Sequence, residues 1–416
     1  MKNWVCTLSV YMRRRVICVF LMGITSGIPF LLLTSTLSAY LKDKGIPNHI
    51  ICSLTGITLP YALKFLWAPL LDCFRVPFLT SLLGHRRAWL FVAQIGTAAS
   101  IINLSFYTQA DLWLLVVAGS TLSFLAATQD IVFEAFRVET LRKEEEAYGA
   151  GAAVMGFRVG MLISGAFALL IAHEHGWQVA YLVMAACMVL GVVGTLLADE
   201  PITIPLSSQS NPSFIGTILD FSRKRPWFIV LSFIFLFKLA DTVLNTVTVI
   251  FLKDLGFSNF EVATVAKTFG IVSMIVGGAM GGVMLYKLHL RHTLIVSCLL
   301  QIIACLGYFV QAKVGHDITL LYVTMGLENI TCGISQTALI AYLSRLCYRP
   351  QTAAHFAFLS SFSSLSRIYL STFAGFLEQH MGWATFHLWI SLATVPALVM
   401  VMVLKNHFET LTPPSQ

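Results

Sequence analysis

The chain has 416 residues, 57% of them hydrophobic and only 11% charged, with a mean hydropathy of +0.79. A soluble domain carries about 25% charged residues, so the composition excludes an ordinary soluble globule and predicts an integral membrane protein surrounded by lipid. The formal charge of +7 comes with no aromatic-and-basic patch or DNA-binding motif, which excludes a nucleic-acid partner.

The chain opens "MKNWVCTLSVYMRRRVICVFLMGITSGIPFLLL". Arg13 to Arg15 resemble the basic start of a signal peptide, but the apolar run is too long and has no A-x-A site. This predicts a first, retained membrane helix. A span needs roughly 20 apolar residues. Candidates lie at 16–40, 49–71, 87–108, 112–138, 148–172, 177–198, 226–251, 260–284, 292–311, 318–344, 352–377 and 383–404. The connections are short except for 199–225, "DEPITIPLSSQSNPSFIGTILDFSRKR". The expected organisation is a six-helix bundle over 1–198, a cytoplasmic linker over 199–225, and a second six-helix bundle over 226–416 ending in a short tail. The fold class is all-α integral membrane, with twelve transmembrane helices in two pseudo-symmetric bundles. An even number of spans puts both termini on one side. Loops on that side carry seventeen Lys and Arg, against four opposite (Lys42, Lys44, Lys253 and Lys313). That asymmetry predicts cytoplasmic termini.

The halves resemble each other. "YLKDKGIPNHI" at 40–50 and "FLKDLGFSNFE" at 251–261 share L-K-D-x-G. Late in each half, "FRVGMLISGAFALLIAHEHGW" (157–177) echoes "SRIYLSTFAGFLEQHMGW" (366–383), aligning Arg158 with Arg367 and Gly176-Trp177 with Gly382-Trp383. Parallel six-helix repeats are the architecture of major facilitator transporters, which place the substrate site between the halves near the bilayer midplane.

Few charges remain inside the spans, and each needs a reason. Asp130, Glu134 and Arg137 share one stripe of the fourth span, within about 60° of arc at 3.6 residues per turn. An uncompensated charge at the bilayer centre costs at least about 2.5–3.5 kcal/mol, so the stripe should face protein or water. Glu134 and Arg137 are spaced to pair. Asp130 needs another partner, and Arg158 on the fifth span is the candidate. That span carries Ala152, Gly156, Gly160 and Ser164 at four-residue spacing, a stripe that admits another backbone. Two readings stand side by side. In one, Asp130, Glu134, Arg137 and Arg158 form a structural ion-pair network; in the other, Asp130 or Glu134 titrates and couples transport to protons. Further buried ionic candidates are Lys64, the pairable Lys238 and Asp241, Lys267, Glu328 and Arg367. Lys64, Lys238 and Arg367 are candidates to bind substrate carboxylates. Gln129, Tyr61, Trp67, Asn245 and Gln336 are candidates to hydrogen-bond or stack on sugar, although helix packing also explains membrane Trp and Tyr. The nine cysteines form no CxxC pair and are expected to be free, apolar thiols. No metal site or cofactor is proposed.

"TSGIPFLLLTSTLSAYLKDKGI", "LPYALKFLWAPLLD", "ATQDIVFEAFRVETL" and "YGAGAAVMGFRVGMLISGAFALLIA" resemble the first-half motifs of AmpG-type muropeptide permeases, major facilitator proteins of the bacterial inner membrane. The resemblance runs nearly continuously over 22–200 and is weaker afterwards, where "FLKDLGF" and the final GW carry it. It implies proton-driven import of N-acetylglucosaminyl-1,6-anhydro-N-acetylmuramyl peptides for cell-wall recycling, by a monomer, and in some bacteria a role in β-lactamase induction. Asp72, Arg75, Arg86 and Arg87, in "APLLDCFRV" and "GHRRAW", approximate the facilitator signature G-x-L-a-D-r-x-G-r-r, with Ala68 or Pro69 in place of its first glycine. The resemblance implies a conformational latch built on Asp72; positive-inside anchoring also accounts for Arg86 and Arg87.

Other functions compete. A drug exporter would favour a more apolar cavity than these charges suggest. An intramembrane enzyme needs an acid, base or nucleophile set at working depth, yet most histidines lie in loops or at span ends, His387 has no evident catalytic partner, and neither HExxH nor GxSxG occurs. A channel would need a filter loop, which is not seen.

Overall fold

The computed structural model describes residues 10–44, 57–106, 112–142, 144–201, 227–347, 351–363 and 381–403. These residues are helical with short connections. We number the helices α1 (Arg14–Asp43), α2 (57–73), α3 (His85–Phe106), α4 (Leu112–Thr140), α5 (Glu146–His175), α6 (Trp177–Leu197), α7 (Trp227–Asp254), α8 (259–288), α9 (290–314), α10 (Ile318–Leu346), α11 (352–363) and α12 (Trp383–Val403). Among the described residues, eight helices are long and apolar enough to cross a membrane, with most of α8 and all of α9 forming one continuous stretch, Gly270–Val314. That stretch breaks at His289, whose φ of 62° no helix tolerates. Large apolar side chains such as Phe106, Trp113, Val193 and Trp389 stand exposed on helix flanks, as lipid-facing positions require.

Two compact units form. Unit 1 comprises Met1–Asp220 with Cys347–Ser361, and unit 2 comprises Phe221–Leu346 with Phe362–Gln416. The change of unit after Asp220 falls within the expected linker 199–225. The start of α11, expected with the second bundle, groups with unit 1. The seven described cysteines are free.

In unit 1 the small-residue stripe of α5 meets α1. A methyl group on Gly27 would lie 2.0 Å from the Phe157 carbonyl oxygen, and one on Gly160 2.0 Å from that of Ile24. Only glycine permits this approach. Both helices loosen at the same level. Pro29 removes one N–H from α1, which widens into a π-helical turn over Leu32–Thr36. The matching turn in α5 is Ile163–Phe167, and Thr36 Oγ1 donates to the Ser164 carbonyl at 2.5 Å. α2 is also broken: Leu59–Leu63, a 3-10 turn at Lys64–Leu66, and Ala68–Cys73 follow one another, with Pro69 just after the turn lacking the N–H that would continue the ladder.

The repeated motifs acquire a physical meaning here. Trp177 Nε1 donates to Asp43 Oδ2 at 3.0 Å, and Trp383 Nε1 donates to Asp254 Oδ2 at 3.0 Å. The L-K-D and G-W motifs are thus two halves of one clamp, which ties the end of α1 to the start of α6 in unit 1 and α7 to α12 in unit 2. Gly176 and Gly382 precede the tryptophans at φ 84° and 72°, values that favour glycine. Tyr40 packs on Trp177 with centroids 5.4 Å apart, and Phe251 on Trp383 at 5.1 Å. The far ends of α6 and α12 are clamped alike. Arg87 donates to the Thr195 and Leu196 carbonyls at 2.9 Å. Arg291 donates to those of Val401 and Met402 at 3.4 Å.

These contacts predict an order of sensitivity. Trp177→Phe and Trp383→Phe each lose one hydrogen bond and should cost about 0.5–1.5 kcal/mol. Gly27→Ala forces backbones apart and should cost about 1–3 kcal/mol. Thermal unfolding in detergent should place the Gly27→Ala midpoint lowest and the two tryptophan variants close together.

Candidate functional site: buried ions and a capped helix in unit 1

Asp130 lies midway along α4, where the bilayer centre is expected. The Ser26 hydroxyl of α1 donates a hydrogen bond to Asp130 Oδ1. Beside it Gln129 Nε2 donates to Thr25 Oγ1 at 3.2 Å. Consecutive residues of α1 thus meet consecutive residues of α4. The 3-10 turn of α2 brings a cation to the same place. Trp67 Nε1 donates to Thr128 Oγ1 at 3.1 Å, and its ring lies 4.8 Å from that of Phe124. Both contacts hold the Lys64–Leu66 turn against α4. Lys64, 9% exposed, lies within electrostatic reach of Asp130, as do Glu134 and Tyr61. Tyr61 packs edge-on to Phe30 at 5.8 Å, and its buried hydroxyl is unpartnered.

One turn further along α4, Arg137 is fully buried. Its Nε and Nη2 both donate to Glu134 Oε2, at 2.9 and 2.7 Å, and the Phe356 ring lies 5.6 Å from the guanidinium. The expected Glu134–Arg137 pair is present. Arg158 lies elsewhere, with Nη1 3.1 Å from Met161 Sδ and the guanidinium 5.7 Å from the Phe157 ring. Asp130 takes Ser26 as its hydrogen-bond donor instead. Sequence reasoning missed Ser26 because one hydroxyl in an apolar span has no signature.

Unit 2 holds a separate set. Lys238 Nζ and Asp241 Oδ2 are 3.1 Å apart, and Asn245 Nδ2 donates to the Asp241 carbonyl at 2.7 Å. Glu328 is buried and accepts from Asn329 Nδ2 at 2.7 Å. Gln336 Nε2 is 3.9 Å from Cys332 Sγ. His387 is fully buried and ring-stacked on Tyr308 at 5.2 Å. Arg367 and the side chain of Lys267 lie outside the described residues.

The terminal end of unit 1 carries a third constellation. Arg86 Nη2 is 2.6 Å from Asp72 Oδ1 and 2.7 Å from Glu139 Oε1, while its Nε donates to Glu139 Oε2 at 3.0 Å. All three side chains are buried. Asp72 also accepts the backbone N–H groups of Ala353 at 3.3 Å and Ala354 at 3.0 Å. These are orphan donors in the first turn of α11, where a carboxylate is favoured by the helix dipole. The contact explains why the start of α11 belongs with unit 1. Glu200 caps α3 in the same way, accepting the N–H groups of Arg86 at 2.8 Å and Arg87 at 3.1 Å. Burial pushes the Glu200 carboxyl up, against the opposing pull of these donors. The structure brings Asp72 and Arg86 together, sends Arg87 to the end of α6 and leaves Arg75 exposed. Glu139 and Glu200 were not singled out in the sequence, because each looks like an ordinary charge at a span end.

Removing one partner of a buried pair costs about 3–5 kcal/mol, so Arg86→Ala, which strands two carboxylates, should destabilise most. Asp72→Ala should cost less, because Glu139 keeps Arg86 paired. It should instead free α11: Thr352, fully buried here, should become more reactive to maleimide as Thr352→Cys in the Asp72→Ala background. Unchanged labelling would remove Asp72 as the latch.

The comparisons with known proteins agree with this architecture. The family model described as Major Facilitator Superfamily matches residues 15–314. The anhydromuropeptide permease of Escherichia coli (strain K12) is 33% identical over 408 residues, covering 97% of this chain and 82% of that protein. Among solved structures, the human organic anion transporter MFSD10 (TETRAN) superposes with a TM-score of 0.69 at 14% identity, covering 94% of this chain and 99% of that one. The Major Facilitator Superfamily transporter FucP gives the same TM-score and identity, covering 95% and 99%. At that identity the structures speak for the fold alone, while the family match and the permease relative establish membership: the chain belongs to the Major Facilitator Superfamily of membrane transporters, within the group that includes the anhydromuropeptide permease.

Proposed function

We propose that this transporter imports anhydromuropeptides, N-acetylglucosaminyl-1,6-anhydro-N-acetylmuramyl peptides, from periplasm to cytosol in exchange for the energy of the proton gradient. The observation that carries the reading is the permease relative, similar over 97% of the chain. The reading includes twelve spans, both termini in the cytoplasm, a bacterial inner-membrane location and a monomer. The excess of Lys and Arg in the terminal-side loops supports the orientation.

The chemistry of unit 1 supports a polar, anionic cargo. Lys64 supplies a buried cation, and Gln129 and Tyr61 supply hydrogen-bonding groups beside it. Lys238, Asn245, Gln336 and Arg367 are the matching candidates in the second half of the sequence. Drug efflux is the less favoured reading, because buried ions are costly in a cavity for apolar molecules. Asp130 is the proposed coupling carboxylate, with Glu134 second. Glu134 already satisfies Arg137, so its protonation would strand a buried guanidinium. Asp130 has only a hydroxyl hydrogen bond and a more distant ammonium to give up.

Uptake of labelled anhydromuropeptide into inside-right vesicles, with and without an imposed pH gradient, tests this reading. Gradient-stimulated accumulation is expected, and no uptake under either condition would remove the substrate assignment. Asp130→Asn should abolish accumulation against a gradient while leaving the thermal midpoint within a few degrees. Unchanged gradient-driven accumulation in that variant would rule out Asp130.

A further inference from the structure

We infer that the connection between α2 and α3, residues 74–84, is a membrane-surface anchor whose partner is the lipid leaflet on the terminal side, with an anionic phosphate headgroup at Arg75. A connection between spans ordinarily runs through water and is polar. This one reads "FRVPFLTSLLG" and has no acidic residue. Its apolar side chains point outward. Phe78 is 93% exposed and Leu82 80%, the two most exposed of the large apolar side chains described. They lie one turn apart, flanking the short helix Leu79–Leu83. The Thr80 hydroxyl, on the other side of that turn, is buried. The backbone serves itself: the Thr80 N–H donates to the Val76 carbonyl at 3.1 Å and the Gly84 N–H to the Thr80 carbonyl at 3.0 Å. A segment that partners its own backbone can leave water at small cost. Phe78 has a φ of 60°, a conformation that bulky side chains avoid. Its ring gains little burial within the chain to offset that strain, and insertion among lipid chains offsets it.

Continuity with the lipid-facing flank identifies the partner. Leu66, Leu70 and Phe74 are exposed at four-residue spacing, so the outward stripe of α2 runs without a break into the connection. Trp89 of α3 donates its Nε1 to the Phe74 carbonyl at 2.7 Å. That bond ties the start of the connection to a residue type that membrane interfaces collect. A second protein would have to cover a patch continuous with this flank, whereas the leaflet already lies against it. Apolar side chains on one face and a cation beside them are the composition of an interfacial segment, which sits about 5–10 Å into the boundary between headgroups and chains. Charge then selects among lipids. Arg75 is exposed and, among the described residues, makes no hydrogen bond or ion pair. At headgroup level its guanidinium can take a phosphate through two N–H donors. The ends of the connection meet Asp72 and Arg86, which are paired at 2.6 Å. Lipid thus holds from outside a connection that this buried pair closes from within.

The test is spin labelling of the full-length protein in phosphatidylcholine vesicles, with and without phosphatidylglycerol, in a background with the native cysteines replaced. Labels go on Phe78→Cys, on Leu82→Cys and, as a water-facing control, on Glu144→Cys in the exposed turn after α4. Collision with dissolved oxygen reports lipid, and collision with a water-soluble nickel chelate reports water. The oxygen-to-nickel ratio at 78 and 82 should exceed that at 144 several-fold. Phosphatidylglycerol should raise it further, and Arg75→Gln should remove that increment while leaving the ratio in phosphatidylcholine unchanged. Labels at 78 and 82 that are as open to nickel as the one at 144, or closed to both reagents because protein covers them, overturn the anchor. An increment that is absent from the wild type, or undiminished in Arg75→Gln, overturns the assignment of an anionic headgroup. Phe78 and Leu82 both lie outside the core, so either position decides the matter if the other variant does not fold.

Discussion

Ionic groups cannot stand unbalanced in hydrocarbon, and that cost organises this molecule. In a chain with 11% charged residues, several charges within the described helices are answered by another polar or ionic group. Arg137 is answered by Glu134, Lys238 by Asp241, and Asp130 by the Ser26 hydroxyl with Lys64 beyond it. At the terminal end Arg86 joins two carboxylates, and one of them also caps α11. The differences in strength have consequences. The contact pairs resist losing a partner, because that would strand a buried charge. Asp130, which is hydrogen-bonded by a hydroxyl and not by a cation, is the carboxylate of α4 proposed above for coupling.

The framework and the site follow different rules. The framework is duplicated: the same aspartate–tryptophan clamp, the same glycine backbone and the same arginine on helix-end carbonyls occur in both units. Among the described residues, the ion pairs within the helices differ between the units. Ser26, Lys64 and Asp130 of unit 1 have no copy in the Lys238–Asp241 pair of unit 2, which lies on a single helix. Duplication preserves what holds helices at their ends, where water satisfies any mismatch. The membrane interior was free to diverge and take on a cargo. His387 stands where repeat symmetry puts Tyr181, stacked on Trp383 as Tyr181 is against Trp177.

Much of this was legible in the sequence, and the failures have causes. Hydropathy marked the eight helices long and apolar enough to cross a membrane among the described residues, and the four-residue stripe on α5 announced a close neighbour. It did not say which one, since a stripe of small residues carries no address; the answer was α1. L-K-D and G-W were recognised as repeats but not as contacts, because 134 and 129 residues separate the partners. The i,i+3 pairs Glu134–Arg137 and Lys238–Asp241 were readable because helical spacing alone brings them together. Asp130 was harder. Charge complementarity nominated Arg158, while folding placed a hydroxyl of α1 in contact and Lys64 nearby. The 3-10 turn of α2 that carries Lys64 is followed by Pro69, in a segment that composition reads as one continuous span.

The central claim is that the charged stripe of α4 borders water and not lipid. The direct test is the reactivity of Glu134→Cys, in a background with the native cysteines replaced, toward a membrane-impermeant cationic methanethiosulfonate. The account predicts rapid modification, slowed by added anhydromuropeptide. Modification only by a lipophilic maleimide, with the charged reagent inert at every pH and substrate concentration, would contradict it.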